Sequence, residues 1–458
     1  MTERLIVIGG DAAGMSAASQ ARRLRGPDEL EILVFERGNS TSYAACGIPY
    51  WIAGLIDERD ELVARAPEVF RTKQAIDVRM RHEVVGIDTD TRTVTVVDLE
   101  ADERREHRYD QLLIATGARP VRPPLPGIDA PGVFGVQTLD HGQAVLDALA
   151  DRRPQRAVVI GAGYIGIEMA EAMLLRGLEV HVVELAEKPM STLDADMGAK
   201  VAEAMEQMGI HLHLGTAVQA VETGADGWVT RVVTSAGVLD ADLAVLGTGT
   251  RPNSDLAREA GIPIGPSGGI VTDRRMRTPI DGVWAAGDCA ETFHRVTQGP
   301  VSIALGTIAN KQGRIAGLNL GGSYGSFPGV LGTAVTKVCE AEIARTGLGE
   351  EAARAAGFEP VAATITGTTR AHYYPDAQPI TVKVIAEHGT GKLLGAQIVG
   401  REGAAKRIDV FATALWNAMS VDEILNMDLA YAPPFSPVWD PVLIAARKAD
   451  GEVRRSAS

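Results

Sequence analysis

The feature that most restricts this chain is a short pattern met twice: strand, glycine-rich turn, helix, second strand ending on an acid. Residues 5–8 form an apolar run that breaks at Gly9 and Gly10, an alanine-rich stretch Ala12–Leu24 follows, and the run 31–35 ends on Glu36. Residues 157–160 repeat the arrangement, with Gly161, Gly163 and Gly166, a helix over Tyr164–Leu175 and a strand Glu179–Val183 ending on Glu184. Unbroken apolar runs of this length suit strands covered on both faces of a parallel sheet. The turn aims helix N-terminal amides at an anion, and the acid suits a ribose hydroxyl, so each unit reads as a dinucleotide site. In the first copy Asp11 replaces the middle glycine before Gly14, a weaker spelling that a purely steric turn would also satisfy. Two copies in one context point to an α/β chain with two Rossmann-like domains.

Each copy also has a later apolar strand with a similar ending, LLIATGARP at 112–120 and LAVLGTGTRP at 243–252. Gly and Pro are common strand-end punctuation, but their matched placement argues for duplication. One site for a flavin and one for a nicotinamide would make a hydride relay. The segment GVWAAGDCAE at 282–291 assigns them, because a strand ending in Gly287 and Asp288 would close on the first domain and offer a carboxylate to a ribityl hydroxyl. With 458 residues the chain exceeds one core. Residues 1–150 and 281–326 are expected to bind flavin and 151–280 the nicotinamide. A separate α+β domain is expected over 327–458. In it, β-like runs at 333–338, 361–366, 380–385 and 393–399 precede a helix over 404–419, and the last residues, GEVRRSAS, read as frayed.

A formal charge of −14 argues against nucleic-acid and acidic-membrane partners. No apolar run is long enough to span a bilayer and no leader is expected. Three cysteines without CxxC spacing make neither a disulfide framework nor a metal site, which suits a reducing cytoplasm. One of them, Cys46, lies in SYAACGIPYWIAG at 42–54, just ahead of Pro49, a residue favoured in a first helical turn. A helix N-terminus there is expected to lower the thiol pKa. Having no neighbouring cysteine, Cys46 would oxidise to a mixed disulfide with a small thiol or to a sulfenic acid. Cys289 is expected to pack, and Cys339 to lie inside a β-like run.

The order of these segments, with ANKQGR at 309–314 and YAPPFSPVWDP at 431–441, resembles the FAD-dependent pyridine nucleotide-disulfide oxidoreductases over essentially the whole chain. Within that family it is most similar to the single-cysteine branch that contains the coenzyme A-disulfide reductases. The resemblance implies FAD, and NADH with NADPH as second option. It also implies a homodimer that reduces coenzyme A disulfide or a related small disulfide or persulfide through Cys46. Ser42 would assist, and Tyr431, Tyr373 or Tyr374 would protonate the departing thiolate across subunits. Tyr373 and Tyr374, taken as strand neighbours, would face opposite ways.

The expected FAD contacts are Gly9, Gly10, Ala12, Ala13, Gly14, Glu36, Arg37, Val84, Ala115, Thr116, Gly117, Gly287 and Asp288. Gly161, Gly163, Tyr164, Ile165, Gly166, Glu168, Glu184 and Gly249 would serve the nicotinamide nucleotide. Glu184 would repel a 2′-phosphate, although Lys188 lies close in sequence. Arg22, Arg23, Arg25, Arg71 and Lys73 read as solvated faces rather than coenzyme A contacts. Two other functions stay open: an NADH oxidase cycling a sulfenic acid, and a flavoprotein that signals through an NADH-dependent change of shape. The position of Ala12 carries no histidine, which the resemblance implies for the peroxidases.

Overall fold

The computed structural model describes residues 2–456. The first glycine turn sits at the carboxyl end of a parallel sheet ordered Val283–Ala285, Gln111–Ile114, Glu3–Ile8, Leu30–Glu36, Asp77–Met80. Its central strands are apolar on both faces because both are covered: Leu5, Val7 and Val34 pack on the helix side, Ile6, Leu33 and Phe35 on the other. That second face is covered by an antiparallel ribbon, His82–Asp88, Thr93–Asp98 and Glu103–Arg108, which supplies Val84, Val94 and Val96. The first helix, Ala12–Leu24, packs on Gly306–Leu320 at very short range, since a Cβ at Gly313 would lie 2.2 Å from the Ala13 carbonyl oxygen.

The second sheet repeats the plan, with parallel strands in the order His211–His213, Glu179–Val183, Arg156–Ile160, Leu243–Leu246, Val133–Gly135 and its own antiparallel ribbon. The two matched endings, ARP and TRP, pair with each other: Ala118–Pro120 runs antiparallel to Thr250–Pro252, with Arg119 opposite Arg251. The Thr116 hydroxyl donates to the Asn253 carbonyl (2.6 Å), and the Asn253 amide returns a bond to the Thr116 carbonyl (2.9 Å).

Downstream, five antiparallel strands are ordered Ala334–Val338, Ala341–Gly347, Leu393–Gly400, Pro379–Glu387, Pro360–Thr368. The expected helix over 404–419 is a 3-10 turn, Ala405–Arg407, followed by Ile408–Trp416. Of the end expected to fray, residues 451–456 belong to helix Pro441–Ser456, which buries Val442, Ala445, Ala446, Ala449 and Val453 at helical spacing, and 457–458 lie outside the described residues. Cys339 lies in the turn between two strands at φ 50°, outside the run expected to hold it. Among the described residues no helix is long and apolar enough to cross a membrane.

Candidate active site

Both glycine turns close in the same way. Gly9 and Gly161 take φ +106° and +99°, and a Cβ there would lie 2.2 Å from the Ala115 carbonyl oxygen and 2.5 Å from that of Gly247. A Cβ at Gly14 or Gly166 would lie 2.0 Å from the carbonyl oxygen of Gly9 or Gly161. At Gly163 the nearest atom is 3.8 Å away, so the second turn keeps open space where a phosphate would approach the helix. The strand-end acids tie each turn together. Glu36 accepts the N–H groups of Gly10 and Gly38 at 2.7 Å each, while Glu184 accepts those of Ala162 (2.6 Å) and Ala186 (2.8 Å).

The first turn fits a dinucleotide that also carries a polyol. Asp288 Oδ1 is buried without a hydrogen-bond partner, and burial raises this carboxyl to about 6. A buried acceptor of this kind is costly unless a donor such as a sugar hydroxyl arrives. Gly117 and Gly249, at φ +68° and +86°, have no atom within 4 Å of a built Cβ, so both loops stay open. Ala13 is buried against Gly287, and Ala12 packs beside it. Val84 is a core residue of the ribbon, whereas Arg37 is exposed and pairs with Glu83 at 3.7 Å.

Asp11, read from sequence only as a defect in the motif, is a group that reasoning missed. Burial raises it to about 7, Glu36 and Asp288 add to the shift, and the Tyr43 N–H donates to it at 3.2 Å. The cysteine segment is fastened to this same turn, because the Ser42 N–H donates to the Gly10 carbonyl at 3.2 Å and the Thr41 hydroxyl donates to it too. Ser42 holds φ 50° there.

Cys46 is exposed in the 3-10 turn Ala45–Gly47, directly before helix Ile48–Ala53. That helix packs on Tyr164–Leu175, where Ile48, Trp51 and Ile52 join Ile167 and Ala170 in one core. Cys46 therefore stands between the two nucleotide units and feels carboxylates from both. The expected lowering of its pKa is not found. Partial burial pushes the thiol up, Glu168, Asp288 and Asp11 push it further, and its own backbone N–H opposes them weakly. Those acids come from distant parts of the chain, which is why a local helix argument missed them.

Glu168 accepts from the Thr336 hydroxyl at 2.7 Å, and its neighbour Glu171 pairs with Lys337 at 2.6 Å, so the second nucleotide unit is docked on the downstream sheet. Tyr164 and Ile165 are half-buried at the start of the same helix. Cys289 is fully buried, its sulfur against the Ile114 and Ala286 carbonyls. Tyr373 and Tyr374 sit in a turn between strands, so the alternation expected of strand neighbours does not apply. Both are exposed, and Tyr373 shares a side-chain hydrogen bond with the exposed Tyr431. Of the basic residues set aside from sequence, Arg22 donates to the Arg25 and Ala75 carbonyls, Arg23 to Gln20, Arg25 pairs with Glu3, and Arg71 holds the Val78 carbonyl.

The model of the pyridine nucleotide-disulphide oxidoreductases matches residues 3–313, and that of the family's dimerisation domain matches 333–441. The chain belongs to this family. The family depends on FAD and NAD(P)H, and the two turns fit such cofactors.

A relative in the same family, the NAD(P)H sulfur oxidoreductase (CoA-dependent) of Pyrococcus abyssi, is 40% identical over 97% of each chain. The NADH oxidase of Methanocaldococcus jannaschii is 36% identical over 97% of this chain and 98% of its own, and the coenzyme A disulfide reductase of Staphylococcus haemolyticus 30% over 97% and 99%. Among solved structures, the NAD-dependent persulfide reductase from A. fulgidus superposes with a TM-score of 0.95 at 38% identity, covering 99% of this chain and 84% of that one.

Proposed function

We propose that this family member reduces coenzyme A disulfide, or a related small disulfide or persulfide, at the expense of NADH, with Cys46 as its redox-active sulfur. The observation that carries the reading is the placement of Cys46. It is the exposed thiol fastened to the first glycine turn, whereas Cys289 is buried and Cys339 lies half-buried in a turn between two strands. All three cysteines are free and none neighbours Cys46 in sequence, so the partner sulfur comes from the substrate.

The Cys46 thiolate attacks one sulfur of R–S–S–R′, forming Cys46–S–S–R and releasing R′–S⁻, which takes a proton. Two electrons from NADH then split the mixed disulfide, so that one NADH and one proton yield NAD⁺, RSH and R′SH. Bound FAD supplies the two-electron link between nicotinamide and sulfur. The chain's share is to orient the sulfur between the two units and to hold the cofactors at the N-termini of the helices Ala12–Leu24 and Tyr164–Leu175, in turns that Glu36 and Glu184 fasten. NADH is favoured because Glu184 closes the second turn with a carboxylate, and Lys188 is committed to the Ser191 and Leu193 carbonyls.

The FAD unit is residues 1–150 with 281–326, the nucleotide unit 151–280, and the dimerisation unit 327–458. Exposed Tyr373, Tyr431, Phe435, Val438 and Trp439 on the dimerisation unit suit burial in a homodimer, where a tyrosine reaches the partner's sulfur as general acid. Three unpaired cysteines suit the reducing cytoplasm.

Intact mass before and after dithiothreitol tests the reading. A coenzyme A-sized adduct that is lost on reduction and absent from Cys46→Ser supports it, as does loss of NADH-dependent disulfide reduction in that variant. A gain of one oxygen on Cys46, with oxygen uptake matching NADH, would replace it with the oxidase chemistry.

A further inference from the structure

At the edge of the second sheet, four ligating side chains converge on one face. Strand Glu179–Val183 pairs in parallel with the edge strand His211–His213, placing His181 opposite His211 and Val183 opposite His213. Side chains alternate along a strand, so Glu179 and His181 share a face with His211 and His213. Further in, the same face carries Val158, Ile160 and Val183 under the antiparallel ribbon. Glu179 Oε1 lies 3.2 Å from His181 Nε2, and one ligand atom each of Glu179, His181 and His211 fall within 4.8 Å of one another. The His181 and His211 rings stack at 4.7 Å, and His181 Nδ1 lies 3.0 Å from His213 Nε2.

We propose that Glu179, His181 and His211 bind a divalent transition-metal ion of the zinc class, with His213 orienting His181. Two ligands bonded to a tetrahedral ion at about 2.0–2.1 Å stand about 3.3 Å apart. The Glu179–His181 pair already has that spacing at 3.2 Å, and a rotation of the exposed His211 ring closes the third side. Without metal, a proton relay satisfies the group: His213 Nε2–H to His181 Nδ1, then His181 Nε2–H to Glu179. The ion takes the place of the second proton. His181 then donates from Nδ1 to His213, the outer hydrogen bond that metal-bound imidazoles make, and both rings switch tautomer with no net proton lost.

Two imidazoles and one carboxylate suit zinc, nickel or cobalt rather than magnesium or calcium, and water completes the shell of this half-open site. Occupancy would clamp the edge strand beside the cofactor acid, because the Glu184 N–H donates to the His213 carbonyl at 2.9 Å.

Equilibrium dialysis of the purified Cys46→Ser protein against micromolar Zn²⁺ tests this, with the reactive thiol removed as a competing ligand. One Zn²⁺ per chain is expected, with affinity at least tenfold lower after adding His211→Asn and lower by about 10–100-fold after His213→Phe. Excess Mg²⁺ should not compete. Glu179→Gln, at an exposed position, repeats the test if His211→Asn folds poorly. Absence of bound Zn²⁺, or Zn²⁺ retained unchanged by His211→Asn and Glu179→Gln, would overturn the proposal.

Discussion

Gly163 and Gly166 belong to one turn but do different work, and a methyl group added at each separates the two roles. At Gly166 a built Cβ falls 2.0 Å from the Gly161 carbonyl oxygen and 3.6 Å from Gly247 Cα. The approach to Gly247 is ordinary contact, but the Gly161 oxygen is backbone at a strand end and cannot swing aside, so the helix must lift by more than an ångström. Overpacking of this sort costs about 1–3 kcal/mol. For a unit the size of the nucleotide domain, each kcal/mol lowers Tm by about 2–4 °C, so Gly166→Ala should lose about 2–12 °C.

At Gly163, φ is −79°, open to any residue, and the nearest atom to the new methyl is 3.8 Å away. Stability should change by less than about 1 kcal/mol, the scale of an N-cap exchange. The methyl instead occupies the space through which dinucleotide phosphates approach the helix, and loss of about 1.4 kcal/mol of binding would raise KM for NADH tenfold. Thermal unfolding and steady-state NADH kinetics on the same preparations read both effects. If Gly163→Ala lost Tm while keeping its KM, or Gly166→Ala kept its Tm, the division of labour would be wrong.

The other expectations concern charge. Asp11 is raised from 3.8 to about 7 in the folded protein, so the unfolded chain releases its proton first and stability falls as pH rises between those values, by about 1.4 kcal/mol per unit. The flavin-free protein should therefore melt higher at pH 5 than at pH 7, and Asp11→Asn should flatten that slope. Burial and Glu168 raise the Cys46 thiol, so alkylation of the flavin-free protein should be slow at pH 7 and quicken with pH; Glu168→Gln should shift that profile to lower pH. Lys383 is 5% exposed and pairs with Asp194 (3.2 Å), Asp196 (2.7 Å) and Glu350 (2.7 Å) between the second and third units. Lys383→Met leaves the mostly buried Asp194 without its cation, while Glu350 keeps Arg354 and Asp196 stays half in solvent, so it should cost about 1–3 kcal/mol in denaturant unfolding. Glu184→Gln keeps an acceptor for one of the two turn amides and drops the charge, so the NADPH-to-NADH ratio of kcat/KM should rise; an unchanged ratio would remove Glu184 from the specificity argument.

What sequence reasoning recovered and what it missed divide along the distance over which each signal acts. Ala12–Leu24, Tyr164–Leu175 and Glu179–Val183 are found at their expected bounds because a glycine turn, an apolar run and a terminal acid act within about a dozen residues. The helix Pro441–Ser456 carried an equally local signal, Val442, Ala445, Ala446, Ala449 and Val453 at helical spacing, which the polar GEVRRS ending masked.

The remaining features need the chain to be folded first. Arg119 meets Arg251 only when two strand ends 130 residues apart turn back toward one another, and the Cys46 thiol meets Glu168 and Asp288 only when both nucleotide units close on one helix. The histidine face is the sharpest case. HLH at 211–213 and EVH at 179–181 are unremarkable apart, and parallel pairing in one register brings their rings into stacking distance. A slip of one residue would turn His211 and His213 to the opposite face and leave Glu179 and His181 without them. The metal proposal is therefore also a test of strand register: His181 and His211 can share an ion only if the edge strand pairs as described, so Zn²⁺ binding lost in both Glu179→Gln and His211→Asn would report that pairing.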